Sequence, residues 1–283
     1  MTTRTTRTTE ATEATTITSG ISLAGALRSL ETEWLTYRQA WRGSVFSSFL
    51  GPLLYLGAIG FGLGSLVDAD SGVLGTARDG SPVTYLGFLA PALVAATGVQ
   101  VAAGEGIFGT MARTKWRRTW FTAIGTPLMP GDLALGHVLW ISARGGLAAV
   151  VYALVAVVLG AMPLSGVLPA VGAGVLGGMS LGALLTGWLV RSSEEHMMNA
   201  AQRFVVIPMF LFSGVFFPVD QLPGWMAAIA RLTPMWHAVV LARQGAVGIA
   251  APWGTWTHLG YLLALVAVGF ALAATGMRKR LLA

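Results

Sequence analysis

The sequence predicts an all-α integral membrane protein with about six transmembrane helices, and three observations carry that reading. Of 283 residues, 54% are hydrophobic and only 11% charged, and mean hydropathy is +0.68. Soluble domains carry about 25% charged residues because their surfaces face water, so most of this chain's area faces lipid. Apolar stretches near 20 residues recur along it, long enough to cross about 30 Å of hydrocarbon at about 1.5 Å per residue. The net charge of +6 sits in bases clustered at the ends of those stretches, which fits membrane topology better than a nucleic-acid partner.

Residues 1–20 are rich in threonine, with Arg4, Arg7, Glu10 and Glu13 and no apolar core. They read as a disordered cytosolic tail, not as a secretory signal. An amphipathic helix is expected over 22–42. Leu23, Leu27, Leu30, Trp34, Tyr37 and Trp41 alternate at four and three residues and share one face, while Arg28, Glu31, Glu33, Arg38 and Arg42 lie off it. Tryptophans at headgroup level and arginines toward anionic lipid favour an interfacial helix over a coiled coil.

The spans follow at about 45–67, 83–104, 133–160, 167–190, 200–217 and 257–276, the fifth being the shortest. Between the fifth and sixth, Pro218, Pro223, Pro234 and Pro252 break a stretch holding Arg231, His237 and Arg243. It is too polar to span and reads as two short helices that dip into the membrane or lie on its surface. With six spans, one side collects Arg4, Arg7, Arg28, Arg38, Arg42, Arg113, Lys115, Arg117, Arg118, Arg191, Arg278, Lys279 and Arg280. The other collects Arg78, Arg231 and Arg243. Basic residues remain in the cytosol, so both termini are expected there, in a multi-pass protein of the plasma membrane.

The chain lacks the residues of several chemistries. With no cysteine, it has no disulfide, thiol nucleophile or thiolate metal site. Its two lysines precede Trp116 and Arg280, so there is no Gly-Lys-Ser/Thr phosphate loop, and no His-Glu-x-x-His zinc pattern occurs. No metal or bound cofactor is expected. Gly178-Met179-Ser180-Leu181-Gly182 is a literal Gly-x-Ser-x-Gly, but a nucleophile elbow needs a strand-to-helix turn. Here it lies mid-span, where Gly178 and Gly182, like Gly60 and Gly64, read as small residues that let helices approach closely. Arg144 falls near the inner interface and reads as a snorkelling side chain. Gln100 and Glu105 lie near the inner end of the second span, where Gln100 suits an interhelical hydrogen bond or a substrate contact.

After the second span, Phe108, Ala112, Trp116 and Trp120 repeat every four residues beside Arg113 and Arg117, ahead of the turn Thr126-Pro127-Leu128-Met129-Pro130-Gly131-Asp132. That pattern predicts an amphipathic helix over 105–121 that docks on lipid or on a cytosolic partner. Together with Tyr85-Leu86-Gly87-Phe88-Leu89-Ala90-Pro91 and the run from Pro208 to Pro223, it resembles the type-2 ABC exporter permeases. The likeness is strongest to their branch of nodulation lipo-oligosaccharide and daunorubicin-resistance permeases, and it covers almost all of the chain from residue 21 on.

The resemblance implies that 105–121 is a coupling helix seated in a separate ATPase subunit, through Glu105, Phe108, Arg113, Lys115, Trp116, Arg117 and Trp120. It implies a working unit of two permeases, as a homodimer or close heterodimer, with two ATPase subunits that hold the ATP and Mg. The 218–250 region would be extracellular re-entrant helices capping the exit. Phe210, Phe212, Phe216 and Phe217 would lie near the dimer axis on the path of an amphiphilic drug, antibiotic or glycolipid. Two other classes are weighed against export: an ion-driven secondary transporter, which needs acids inside its spans, and an intramembrane serine enzyme built on Ser180.

Overall fold

The computed structural model describes residues 21–38, 54, 57–58, 76–77, 80–192 and 194–282. The tail, Trp41 and, apart from Leu54, Gly57 and Ala58, the expected first span with Gly60 and Gly64 lie outside the described residues. Among those described, structure is helical save for one isolated antiparallel bridge between Thr76 and Pro82.

Helix α1, Leu23–Tyr37, starts where the Ser22 hydroxyl accepts from the Gly25 N–H at 3.3 Å. It presents two stripes. The apolar one faces outward, with Leu23, Leu27 and Trp34 all at least half exposed. Gly25, Ala26, Ser29 and Glu33 form the other, which is buried. An interfacial helix lying on a membrane protein needs both, one for lipid and one for the protein.

Among the described residues, four helices are long and apolar enough to span a membrane: Tyr85–Trp116, Pro130–Val158, Leu164–Leu189 and Thr255–Leu281. The first three alternate in direction, and the fourth runs parallel to the third, with Arg280 donating to the Val190 carbonyl where their C-terminal ends meet. We number their regular parts α2 (Tyr85–Gly104), α4 (Pro130–Val158), α5 (Val167–Leu189) and α10 (Thr255–Leu281). The basic segments gather at one end of the bundle, hereafter the basic end.

The expected fifth span differs. Helix α6, Glu195–Ala201, runs through a π-type turn, Gln202–Val206, into α7, Ile207–Phe212. The run begins before residue 200 and stops at Ser213, ahead of the left-handed Gly214 (φ 78°). Glu195 and Arg203 keep it more polar than the four long helices.

Beyond it, α8 (Gly224–Arg231) is amphipathic, with Trp225 and Ile229 exposed. Helix α9 (Pro234–Val247) is instead buried against α2, α5 and α10. Thr233 caps α9, its hydroxyl accepting from Trp236 N at 3.3 Å, Pro234 occupies the first turn where its missing N–H costs nothing, and Gly248 ends it at φ 76°.

Small residues close the bundle. A Cβ on Gly178 would come 2.8 Å from the Ala102 side chain; on Gly182 it would come 2.5 Å from Ile141 and 2.9 Å from the Ala102 carbonyl oxygen. Helices α2, α4 and α5 therefore meet at backbone distance, as glycine permits in a membrane where dispersion drives packing.

Candidate functional site

The basic end is built from the residue that opens α4. Asp132 is almost fully buried, and one carboxylate oxygen accepts from Met129 N at 3.0 Å, capping its own helix. The other accepts from Ser22 N at 2.6 Å and so holds the start of α1. From there the small stripe of α1 lies along α4, with Ser29 against Gly136 and Glu33 reaching into the protein.

Glu33 meets two partners. Arg113 forms an ion pair with its carboxylate, and His137 of α4, fully buried, brings Nδ1 to 3.7 Å. Burial works against ionising Glu33, but the His137 imidazole and the Arg113 guanidinium more than offset it and hold the carboxyl below its usual range. The far side of the imidazole continues the chain: His137 Nε2 lies 3.4 Å from Thr110 Oγ1, which donates to Thr186 Oγ1 of α5 at 3.3 Å. Trp120 packs its edge on the same ring, centroids 5.1 Å apart. One polar line thus joins α1, the segment after α2, α4 and α5.

A second carboxylate lies nearby. Glu105 accepts from Arg144 Nε at 3.1 Å and from Trp140 Nε1 at 3.4 Å. Arg144 also lies over the Tyr37 ring, 4.3 Å from its centroid. The snorkelling reading of Arg144 is therefore corrected: its side chain is 15% exposed and turned inward to a charge partner.

The expected separate helix over 105–121 is corrected too. The second span's helix does not stop at Gly104 but continues through π-type turns at Glu105–Gly109 and Ala112–Trp116. It breaks at Arg118, whose φ of 52° no helix tolerates, and a short helix α3, Thr119–Ala123, turns away. Widened turns rotate the side chains relative to a 3.6-residue repeat, and the break rotates them again. Phe108 and Trp116 remain exposed, whereas Trp120 is buried on His137.

The seven residues singled out for coupling consequently divide. Phe108, Lys115, Trp116 and Arg117 face outward. Glu105, Arg113 and Trp120 are directed into the protein. Trp116 Nε1 donates to Glu195 at 3.2 Å and Lys115 Nζ lies 3.3 Å from the same carboxylate, which these contacts hold below its usual range.

Against that geometry, the family model described as ABC-2 type transporter matches residues 28–247, most of the chain. The chain belongs to the ABC-2 type transporter family. It is 31% identical over 266 residues to Nodulation protein J of Rhizobium leguminosarum bv. viciae, covering 92% of this chain and 97% of that one. Nodulation protein J of R. leguminosarum bv. trifolii is 32% identical over 256 residues, 88% of this chain and 92% of that one. A daunorubicin resistance ABC transporter permease protein of Streptomyces coeruleorubidus is 31% identical over 91 residues, 32% of either chain. As an ABC-2 permease, the chain is the multi-pass membrane component of a transporter and not its catalyst.

The permease's other singled-out residues are spread more widely. Gln100 is half-buried on α2. Phe210 and Phe216 pack edge to face at 5.1 Å near the far end, Phe217 is half-buried beside them, and Phe212 is 38% exposed on the flank of α7. Ser180 is fully buried and donates to the Gly177 carbonyl at 2.8 Å, the bond of a helix-packing serine. Sequence reasoning missed Glu33, His137, Thr110 and Asp132. A signal for Glu33 existed: Ala26, Ser29 and Glu33 follow three- and four-residue steps and form a second helical face, overshadowed by the apolar one.

Proposed function

We propose that this chain is the permease of an exporter that moves an amphiphilic substrate out of the cytoplasm, driven by ATP hydrolysis on a separate subunit. Two permeases and two ATPase subunits, which bind the ATP and Mg, form the working unit. The basic end faces the cytosol, and α8 and α9 lie at the outside.

The observation that carries this reading is the segment Glu105–Arg118. It prolongs a spanning helix, exposes Phe108, Trp116 and Arg117 at the basic end, and ties its other face by Glu105 and Arg113 to α4 and α1. A force applied to the exposed side chains thus acts on a helix that crosses the membrane and on two others bound to it. Relatives named as Nodulation protein J and as a drug-resistance permease support export of amphiphiles as the task.

The test is a reconstituted complex with its ATPase. Interface aromatics cost about 2 kcal/mol or more when truncated, roughly thirtyfold, and rim charges about 1 kcal/mol or less. Trp116→Ala is therefore expected to weaken ATPase copurification or uncouple hydrolysis from export more than Lys115→Ala does. Wild-type coupling in Trp116→Ala and in Phe108→Ala/Trp116→Ala would mean that this segment merely rests on lipid.

A further inference from the structure

At the end of the bundle opposite the basic one lies a cavity of about 360 Å³ between α2, α8 and α9 and the turn before α10. Arg243 of α9 forms part of its wall and is 93% buried by its 7% exposure. Its Nε donates to the Phe88 carbonyl and its Nη2 to the Val215 carbonyl, both at 2.9 Å, and the guanidinium lies on the Phe88 ring, 3.4 Å from the centroid. Carbonyls and a ring face satisfy donors, but they do not cancel a charge. Among the described residues no carboxylate pairs with Arg243, and Nη1 donates to no described protein atom.

A buried cation without a counter-charge is costly, and arginine stays protonated rather than escaping that cost. The second cation of the cavity, Arg231, has only the Asp220 carboxylate at 2.5 Å, and that carboxylate is 80% exposed. Two guanidiniums and one peripheral carboxylate leave the cavity with one net positive charge. Its remaining wall is apolar and aromatic, with Trp236 and Trp253 edge to face at 4.9 Å. Trp253 is half exposed at the mouth and held at φ 64°, a left-handed backbone that a bulky residue adopts only when its surroundings impose it.

We propose that this cavity binds the acidic headgroup of an anionic amphiphile, a phosphate or carboxylate attached to an apolar tail. Arg243 supplies the charge and the free Nη1 donors, and Arg231 supplies the second cation by exchanging Asp220 for the ligand. The tail lies outward along Trp253. The volume is near the lower limit for small-molecule pockets, enough for a headgroup but not for a long chain. An arginine that served only to tie α9 to α2 would need neither a second cation nor an open cavity beside it.

The experiment uses the full chain purified in an uncharged maltoside detergent, with dodecyl phosphate as the probe and dodecyl phosphocholine and inorganic phosphate as references. Binding is read as the tryptophan emission change that Trp253→Phe removes. Saturable binding of dodecyl phosphate is expected, at least tenfold tighter than dodecyl phosphocholine. It should fall at least tenfold in Arg243→Lys, which keeps the charge but loses the planar fork, and several-fold in Arg231→Gln. Inorganic phosphate should bind at least thirtyfold more weakly; equal binding would assign the cavity to a soluble anion and overturn the amphiphile. Should Arg243→Lys fail to elute as a folded peak, Arg231→Gln carries the test, since it alters a partly exposed side chain and leaves the Trp253 reporter in place. Dodecyl phosphate affinity unchanged in Arg231→Gln, or no preference over dodecyl phosphocholine, overturns the proposal.

Discussion

The two ends of the permease solve the same problem, a cation inside apolar surroundings, in opposite ways. At the basic end Arg113 and Arg144 each meet a carboxylate from another segment, Glu33 of α1 and Glu105 after α2. At the far end Arg243 meets backbone carbonyls and an aromatic face, and the histidines of α9 and α10 join ring to ring, His237 Nδ1 to His258 Nδ1 at 2.7 Å. The basic end thus carries compensated charge that binds helices to one another, and the far end carries a charge left to be compensated. Compensated pairs are strongly destabilised by loss of one member, because the survivor stays buried; an uncompensated cation gains from a ligand.

The comparison rests on a bundle that closes at its glycines, and the largest expected effect is there. Gly182→Leu puts a side chain into Ile141 and the Ala102 backbone. Since a backbone oxygen cannot give way as a side chain can, the cost lies above the usual overpacking cost of about 1–3 kcal/mol. We expect it to abolish the monodisperse peak in gel filtration, while Gly172→Leu, where no described residue lies within 4 Å of an added Cβ, elutes as wild type. Normal elution of Gly182→Leu would remove the close approach of α2 and α5 from the account.

Next in size is the Glu33–Arg113 pair. Arg113→Ala should lower the melting temperature substantially, by an amount on the order of 3 kcal/mol, because Glu33 is left buried. Glu33→Gln/Arg113→Leu should recover part of that loss. The sign with pH is fixed by the depressed carboxyl: its contribution is complete above the reference value of 4.5 and is lost as pH falls through the lower folded value. An Arg113→Ala melting temperature equal to that of wild type at neutral pH would mean the two ends do not differ as described.

The smallest effect belongs to Ser180→Ala. Its hydroxyl bonds only to the carbonyl three residues back, so export and melting temperature should match wild type within error. Loss of export at normal membrane abundance would instead give this serine a chemical role.

The chain's hydropathy and basic-residue pattern were enough to read a membrane protein with spans near 83–104, 133–160, 167–190 and 257–276. A lipid solvent forces long apolar helices, and those leave an unambiguous mark in one dimension. The stripe Leu23, Leu27, Leu30, Trp34 marked an amphipathic helix for the same reason, since period and composition are local properties. What local patterns could not carry was the direction in which polar side chains point once helices pack. The four-residue row Phe108, Ala112, Trp116, Trp120 assumed regular turns; two π-type turns and the break at Arg118 sent Trp120 to His137 and left Trp116 outside. The position of Arg144 suggested water, but packing brought Glu105 within 3.1 Å of it.

By itself, then, the sequence determined the solvent of this protein, the positions of most of its helices and its family, because burial in lipid acts on each segment separately. Only the tertiary structure decided which charges are paired. An ion pair joins residues as distant as Glu33 and Arg113, and its existence depends on helices meeting at glycines that approach to backbone distance.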